Sequence, residues 1–219
     1  MRKLLDIFNL LVPTACPICR RLGPAPCAAC QDDLRPAPAM ARPPGVDAVH
    51  AVLAYEDAGR ELVARLKYRN ARVTVAWLAG RMAALVATAG AAASASATGP
   101  VWVAWVPTTV ERRRDRGFDQ AELLARAVAR RLGLPCRRVL ARSHGPPQTG
   151  RSQAERRVGP SLAARGRVPG TVVLVDDVVT TGSTVSAAAA ALRAAGADRV
   201  VVVAAARTPY RARAGGGRS

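Results

Sequence analysis

The amino-acid sequence predicts an α/β protein: a central parallel sheet flanked by helices, with a small cysteine-bearing appendage at its N-terminal end. Three observations carry this. Residues 172–175 read Val-Val-Leu-Val, an aliphatic run too short for a buried helix and suited to a central strand covered on both faces. Further apolar runs at 101–106 and 199–206 are separated from it by segments of helical periodicity, the alternation that builds a parallel sheet. Two Cys-x-x-Cys pairs, Cys16 with Cys19 and Cys27 with Cys30, precede every one of these strands.

Half of the 219 residues are apolar, which allows one good core plus a small appendage. No apolar run approaches the ~20 residues of a membrane span. Leu4, Leu5, Phe8 and Leu11 fall on one face of a short amphipathic helix, and Asp6 and Asn9 interrupt the apolar run that an export signal needs. The net charge is +18, and of 33 basic residues only Lys3 and Lys67 are lysines. With alanine abundant throughout, this skew resembles the codon usage of a GC-rich genome. The charge suits a polyphosphate substrate, DNA or RNA and does not separate them.

Taken in order, the two Cys-x-x-Cys pairs can each present two thiolates from a tight knuckle and together complete a tetrahedral zinc site. Two local disulfides or a redox pair are the alternatives. Gly23, Pro24 and Pro26 turn the ribbon between them. Cys136 reads as an inert core or near-surface thiol. Residues 35–45, with Pro36, Pro38, Pro43 and Pro44, read as a linker. A strand at 46–54, a short helix at 61–68 with Leu62, Val63 and Leu66 inward, and a longer helix at 73–89 follow. Residues 88–100 are small-residue low complexity and read as a loop. Strand 101–106 ends at Pro107-Thr108-Thr109 and runs into a basic segment containing Arg112, Arg113, Arg114 and Arg116. The next helix carries Leu124, Val128 and Leu132 on one stripe, with Asp119 as N-cap and Gly133 as stop. A short strand is expected at 137–140, and the polar, basic stretch 142–157 reads as a lid. The last strand is 199–206. The expected division is 1–45 for the N-terminal helix and cysteine knuckle, 46–210 for the sheet domain and 211–219 for a disordered tail.

After strand 172–175 come Asp176 and Asp177, the loop Thr180-Thr181-Gly182-Ser183-Thr184, and an alanine-rich helix over 185–195 that stops at Gly196. Backbone N–H groups at a helix start, several hydroxyls and one glycine make a cradle for phosphate. Carboxylates beside such a cradle must address something else, such as sugar hydroxyls or a metal. A phosphorylated ribose supplies both partners. An ordinary βα unit with capping hydroxyls explains one or two of these residues but not the string. A P-loop is excluded, since Gly-x-x-x-x-Gly-Lys is absent. The pattern of four apolar residues, two acidic ones and Thr-Thr-Gly-Ser-Thr resembles the phosphoribosyl-diphosphate (PRPP) motif of type I phosphoribosyltransferases.

Nearly the whole chain is similar to the ComF/GntX family, bacterial proteins with a zinc knuckle fused to a type I phosphoribosyltransferase-like domain. The double Cys-x-x-Cys, Leu66-Lys67-Tyr68, the segment from Arg112 to Gln120 with its Arg-Gly-Phe core, Gln148 with Glu155-Arg156-Arg157, and the PRPP motif coincide in the same order. Two departures are Asp119, where the family usually has asparagine, and Val158-Gly159-Pro160-Ser161-Leu162 after the Glu-Arg-Arg. The resemblance implies a phosphoribosyltransferase, or else a non-catalytic PRPP- or single-stranded-DNA-binding accessory of natural competence and DNA uptake that works with competence proteins. It implies a cytoplasmic location. Asp176 and Asp177 would hold the ribose hydroxyls as the catalytic pair. Thr180, Thr181, Gly182, Ser183 and Thr184 would hold the 5′-phosphate, Pro107 and Thr108 would form the pyrophosphate loop, and Arg112, Arg116 and Arg156 would neutralise the diphosphate. Mg²⁺ is implied with PRPP, and structural Zn²⁺ on the four cysteines.

Overall fold

Covered on both faces, a strand can be apolar along its whole length, and the valine run at 172–175 lies in such a strand. The computed structural model describes residues 15–23, 25–67, 72–90, 99–142 and 161–209, without the side chains of Arg72 and Arg112. The expected N-terminal helix, most of the 88–100 loop, nearly all of the 142–157 lid and the C-terminal tail fall outside the described residues. In chain order the elements are α1 (Ala28–Asp32), β1 (Ala48–Ala54), α2 (Asp57–Ala64) with a 3₁₀ turn Arg65–Lys67, α3 (Arg72–Thr88), β2 (Val101–Trp105), α4 (Val110–Arg116), α5 (Gln120–Leu132), β3 (Leu140–Arg142), β4 (Leu162–Ala164), β5 (Gly170–Val179), α6 (Ser183–Ala194) and β6 (Ala197–Arg207). None of the described helices is long and apolar enough to cross a membrane.

The main sheet is ordered β1-β6-β5-β2 and is parallel throughout. Alternate residues of each strand serve opposite faces. Val173, Val175, Val201 and Val203 pack under α2, α3 and α5 through Leu62, Leu78, Met82, Leu124 and Val128. Val172, Leu174, Val200 and Val202 pack against α6 through Val185 and Leu192, and against Leu140 of β3. Each such aliphatic side chain contributes about 1.5–3 kcal/mol on burial.

The helices define where a ligand fits. Of the two helices after β2, the longer one, α5, covers one face, whereas the helix after β5, α6, covers the other. These two strands are neighbours in the sheet, so the direction of winding reverses between them and a crevice opens outside their carboxyl ends.

Several boundaries differ from expectation for local reasons. The basic segment folds as α4, which stops at Gly117 with φ of 77°. The short strand lies three residues later than expected and pairs antiparallel with β4 as a two-stranded ribbon. Three-residue strands are too short for periodicity to show. The proline-rich stretch is hydrogen-bonded alongside β1, with Ala37 N–H donating to Val52 O (3.2 Å) and Ala54 N–H to Arg35 O (2.9 Å).

Candidate functional site

β2 ends because its donors run out. Val106 N–H still donates to Val175 O (3.0 Å), but Pro107 has no N–H and Thr108 N–H turns away to Asp119 Oδ2 (2.9 Å). β5 continues against β6 for four further residues, with Asp176 opposite Ala204 and Val179 opposite Arg207. The aspartates therefore lie inside β5, not at its end, on an edge that β2 has left uncovered. Here the carboxylates themselves accept from the backbone: Asp177 N–H donates to Asp176 Oδ1 (2.9 Å) and Val178 N–H to Asp177 Oδ1 (2.8 Å).

The space beside this edge is a cleft of about 140 Å³ that brings together Asp176, Asp177, Pro107, Thr108, Arg116 and Thr184. Six of the residues singled out from the sequence thus share one wall. Asp176 is only 9% exposed, and burial, the like charge of Asp177 and that of Asp119 hold its carboxyl well above the usual range. Arg113, three residues before Arg116, leans instead toward Glu122 (3.9 Å).

The rest of the expected phosphate loop is arranged differently. Thr180 and Thr181 line a second cavity with Met40 and Arg207. Thr181 Oγ1 accepts from Ser183 N–H (3.4 Å) and donates to Ser183 Oγ (3.2 Å). Gly182 caps α6 with φ of 82°, and a Cβ there would stand 2.9 Å from Pro43 Cγ. Packing against the proline-rich segment, together with a left-handed backbone, is what demands glycine at this position.

Three polar cleft residues, Asp119, Gln120 and Arg142, were not singled out as ligands. Asp119 caps α5 through Oδ1, which accepts from Ala121 N–H (3.0 Å) and Glu122 N–H (3.4 Å). Its capping role was legible, but its bond to Thr108 was not. Gln120 is 3% exposed, and its Nε2 is buried without a partner. Arg142 Nε donates to Pro107 O (2.8 Å).

The four cysteines converge as their spacing predicts. Their Sγ atoms all lie within 4.8 Å of one another, and Cys19 Sγ and Cys27 Sγ are 3.7 Å apart. A tetrahedral site with metal–sulfur bonds of about 2.3 Å spaces its sulfurs about 3.8 Å apart. No disulfide forms among them. Burial works to raise the Cys16 thiol, but backbone hydrogen bonds from Cys27, Cys19 and Ile18 outweigh it and bring it to about 6. Burial and the three neighbouring thiols push Cys30 up to about 12. The cluster is anchored to the sheet domain by Arg65 Nε, which donates to Pro17 O (2.9 Å), and by Ile18 against the core. Cys136 is half-buried, and burial raises its thiol.

Residues 119–214 match the family described as the phosphoribosyl transferase domain. No curated protein matches the chain. Among solved structures it is similar to one described as the allosteric regulatory enzyme of purine biosynthesis. The identity is 25% over 66% of this chain and 26% of that chain, with a TM-score of 0.37. The chain thus spans about a quarter of that structure's length. The parallel sheet with its flanking helices and the matched domain give the chain a phosphoribosyltransferase-type fold, joined to an N-terminal four-cysteine cluster of zinc-knuckle form.

Proposed function

We propose that the cleft between β2 and β5 binds PRPP with Mg²⁺ and that the protein is a ComF-type phosphoribosyltransferase. The observation that carries this is the convergence of Asp176, Asp177, Pro107, Thr108, Arg116 and Thr184 on one cleft where the winding of the sheet reverses. Asp176 and Asp177 accept hydrogen bonds from the ribose hydroxyls. The loop from Thr180 to Thr184 holds the 5′-phosphate, with Thr184 reaching it from the cleft side. Thr108 and Arg116 face the diphosphate, for which the guanidinium fork is well suited. The C1–O bond breaks with its electron pair leaving on the diphosphate, while a nucleophile on the acceptor bonds to C1 through an oxocarbenium-like state. Such a reaction depends on stabilising charge at the leaving group. Mg²⁺ shares that charge when bound, and an open cleft lined by two carboxylates suits a hard, oxygen-seeking cation. The buried Nε2 of Gln120 is a spare donor at the same wall. The four cysteines hold one structural Zn²⁺.

Calorimetric titration with PRPP and Mg²⁺, compared with ribose 5-phosphate, followed by a screen of acceptors for diphosphate release, tests this reading. PRPP is expected to bind the more tightly. No binding of either ligand contradicts it.

A further inference from the structure

A buried cation without an anion sits on the other side of the Thr180–Thr181 loop. Arg207, the last residue of β6, is 7% exposed. No carboxylate among the described residues pairs with it. Its Nη1 donates to the carbonyls of Pro38 (2.8 Å) and Ala39. Its Nε is buried with no partner, so the side-on edge of the guanidinium, the fork that matches a carboxylate, is left unused. Burial lowers its pKa, yet arginine stays charged at neutral pH. A buried, unpaired charge is costly to the fold and is relieved when a ligand brings the anion.

Arg207, together with Ala39 and Met40, forms the wall common to two adjoining cavities of about 540 and 200 Å³. The larger is of a size suited to small organic ligands and is bounded by Thr180, Thr181 and Thr208 on its polar side. The smaller contains His50, whose Nε2 is likewise buried without a partner. Burial pushes the histidine down and keeps it neutral at neutral pH, which leaves Arg207 as the single charge among the described lining residues. Alanines, prolines, Met40 and Leu85 make up much of the remaining lining. One fork-shaped cation in largely apolar walls matches a monoanion with an apolar body better than a dianionic phosphate.

We propose that this double cavity is a second ligand site, taking a small apolar carboxylic acid whose carboxylate docks side-on to Arg207. The cavity borders the Thr180–Thr181 loop assigned above to the 5′-phosphate, but it uses neither Asp176 nor Asp177, and its carboxylate binding is read in the absence of PRPP.

The test uses the full chain and a panel of monocarboxylates from butyrate to benzoate, each paired with its neutral amide, with inorganic phosphate as a further arm, all measured by calorimetry. At least one carboxylate is expected to bind ten-fold or more tightly than its amide. Arg207→Lys is expected to weaken it about ten-fold, because an ammonium cannot reproduce the fork, and Arg207→Gln to weaken it further. The acid–amide comparison on the parent protein stands even where Arg207→Gln fails to fold. Binding of acid and amide alike, binding of none of the panel, or phosphate outcompeting every carboxylate overturns the proposal. Unchanged carboxylate binding in a folded Arg207→Gln protein overturns it as well.

Discussion

The Thr108 backbone N–H donates to Asp119 Oδ2 at 2.9 Å, and this one bond ties the loop after β2 to the first turn of α5. The other oxygen of the same carboxylate caps the helix. Asp119 is therefore a helix cap and the brace of the cleft mouth at once.

Asp119→Asn retains a single acceptor oxygen for two jobs. It is expected to cost about 1–3 kcal/mol, the price of leaving one buried N–H unsatisfied. Asp119→Ala loses the cap as well, for roughly 1 kcal/mol more. Urea denaturation measures both, and equal stability of all three proteins contradicts the bracing role.

Arg113 and Arg116 belong to one short helix and differ in what they face. Arg116 lines the cleft and Arg113 leans toward Glu122. Arg116→Ala is expected to weaken PRPP about 10- to 100-fold, as the loss of a charge-assisted bond worth about 1.5–3 kcal/mol implies, and to affect ribose 5-phosphate little. Arg113→Ala is expected to leave both affinities nearly unchanged. Titration of each variant with both ligands decides it, and equal small losses for all reduce the segment to a solvated basic face.

Asp176 gives the protein a pH signature. Its carboxyl is held above the usual range by burial and by the Asp177 charge. A carboxyl raised in this way stabilises the fold fully below its unfolded pKa of about 3.9 and loses that contribution as pH rises through its folded value. Ionised at neutral pH, it works against folding. Asp176→Asn is expected to raise Tm at neutral pH, with the difference shrinking as pH falls toward the ordinary carboxylate range. PRPP affinity of the parent runs the opposite way and strengthens with rising pH. A variant less stable than the parent at neutral pH contradicts this account.

Much of this was legible in the sequence, because the signals involved are local. The valine runs of β5 and β6, the Asp119 cap, the Gly133 stop and the Cys-x-x-Cys knuckles each depend on residues a few positions apart. What was hidden depends on distant partners. Pro107 could be seen to end a strand, but not that its carbonyl would take Arg142 from 35 residues away. Gly182 looked like part of a phosphate cradle, and its nearest constraint is Pro43, across the fold. Residues 35–45 were marked by their prolines as a linker. Their hydrogen bonds to β1 and to Arg207 are made by backbone N–H and C=O groups, which composition does not report.

The cysteine cluster is expected to hold one Zn²⁺ per chain. So small a ribbon lacks a core of its own, so metal removal is expected to unfold residues 15–34 and leave β5 and β6 protected from hydrogen exchange. Elemental analysis of purified protein checks the stoichiometry. Cys30→Ser is expected to lose the metal, and protein without stoichiometric zinc contradicts the assignment.

The central claim is that Asp176 and Asp177 recognise the ribose of PRPP. The most direct measurement is PRPP affinity, by calorimetry with Mg²⁺, in the protein carrying both Asp176→Asn and Asp177→Asn. These changes keep size and remove acceptor charge, and two lost charge-assisted bonds amount to a drop of roughly 10²–10⁴-fold, with the fold retained. A folded double variant that binds PRPP as tightly as the parent contradicts the account.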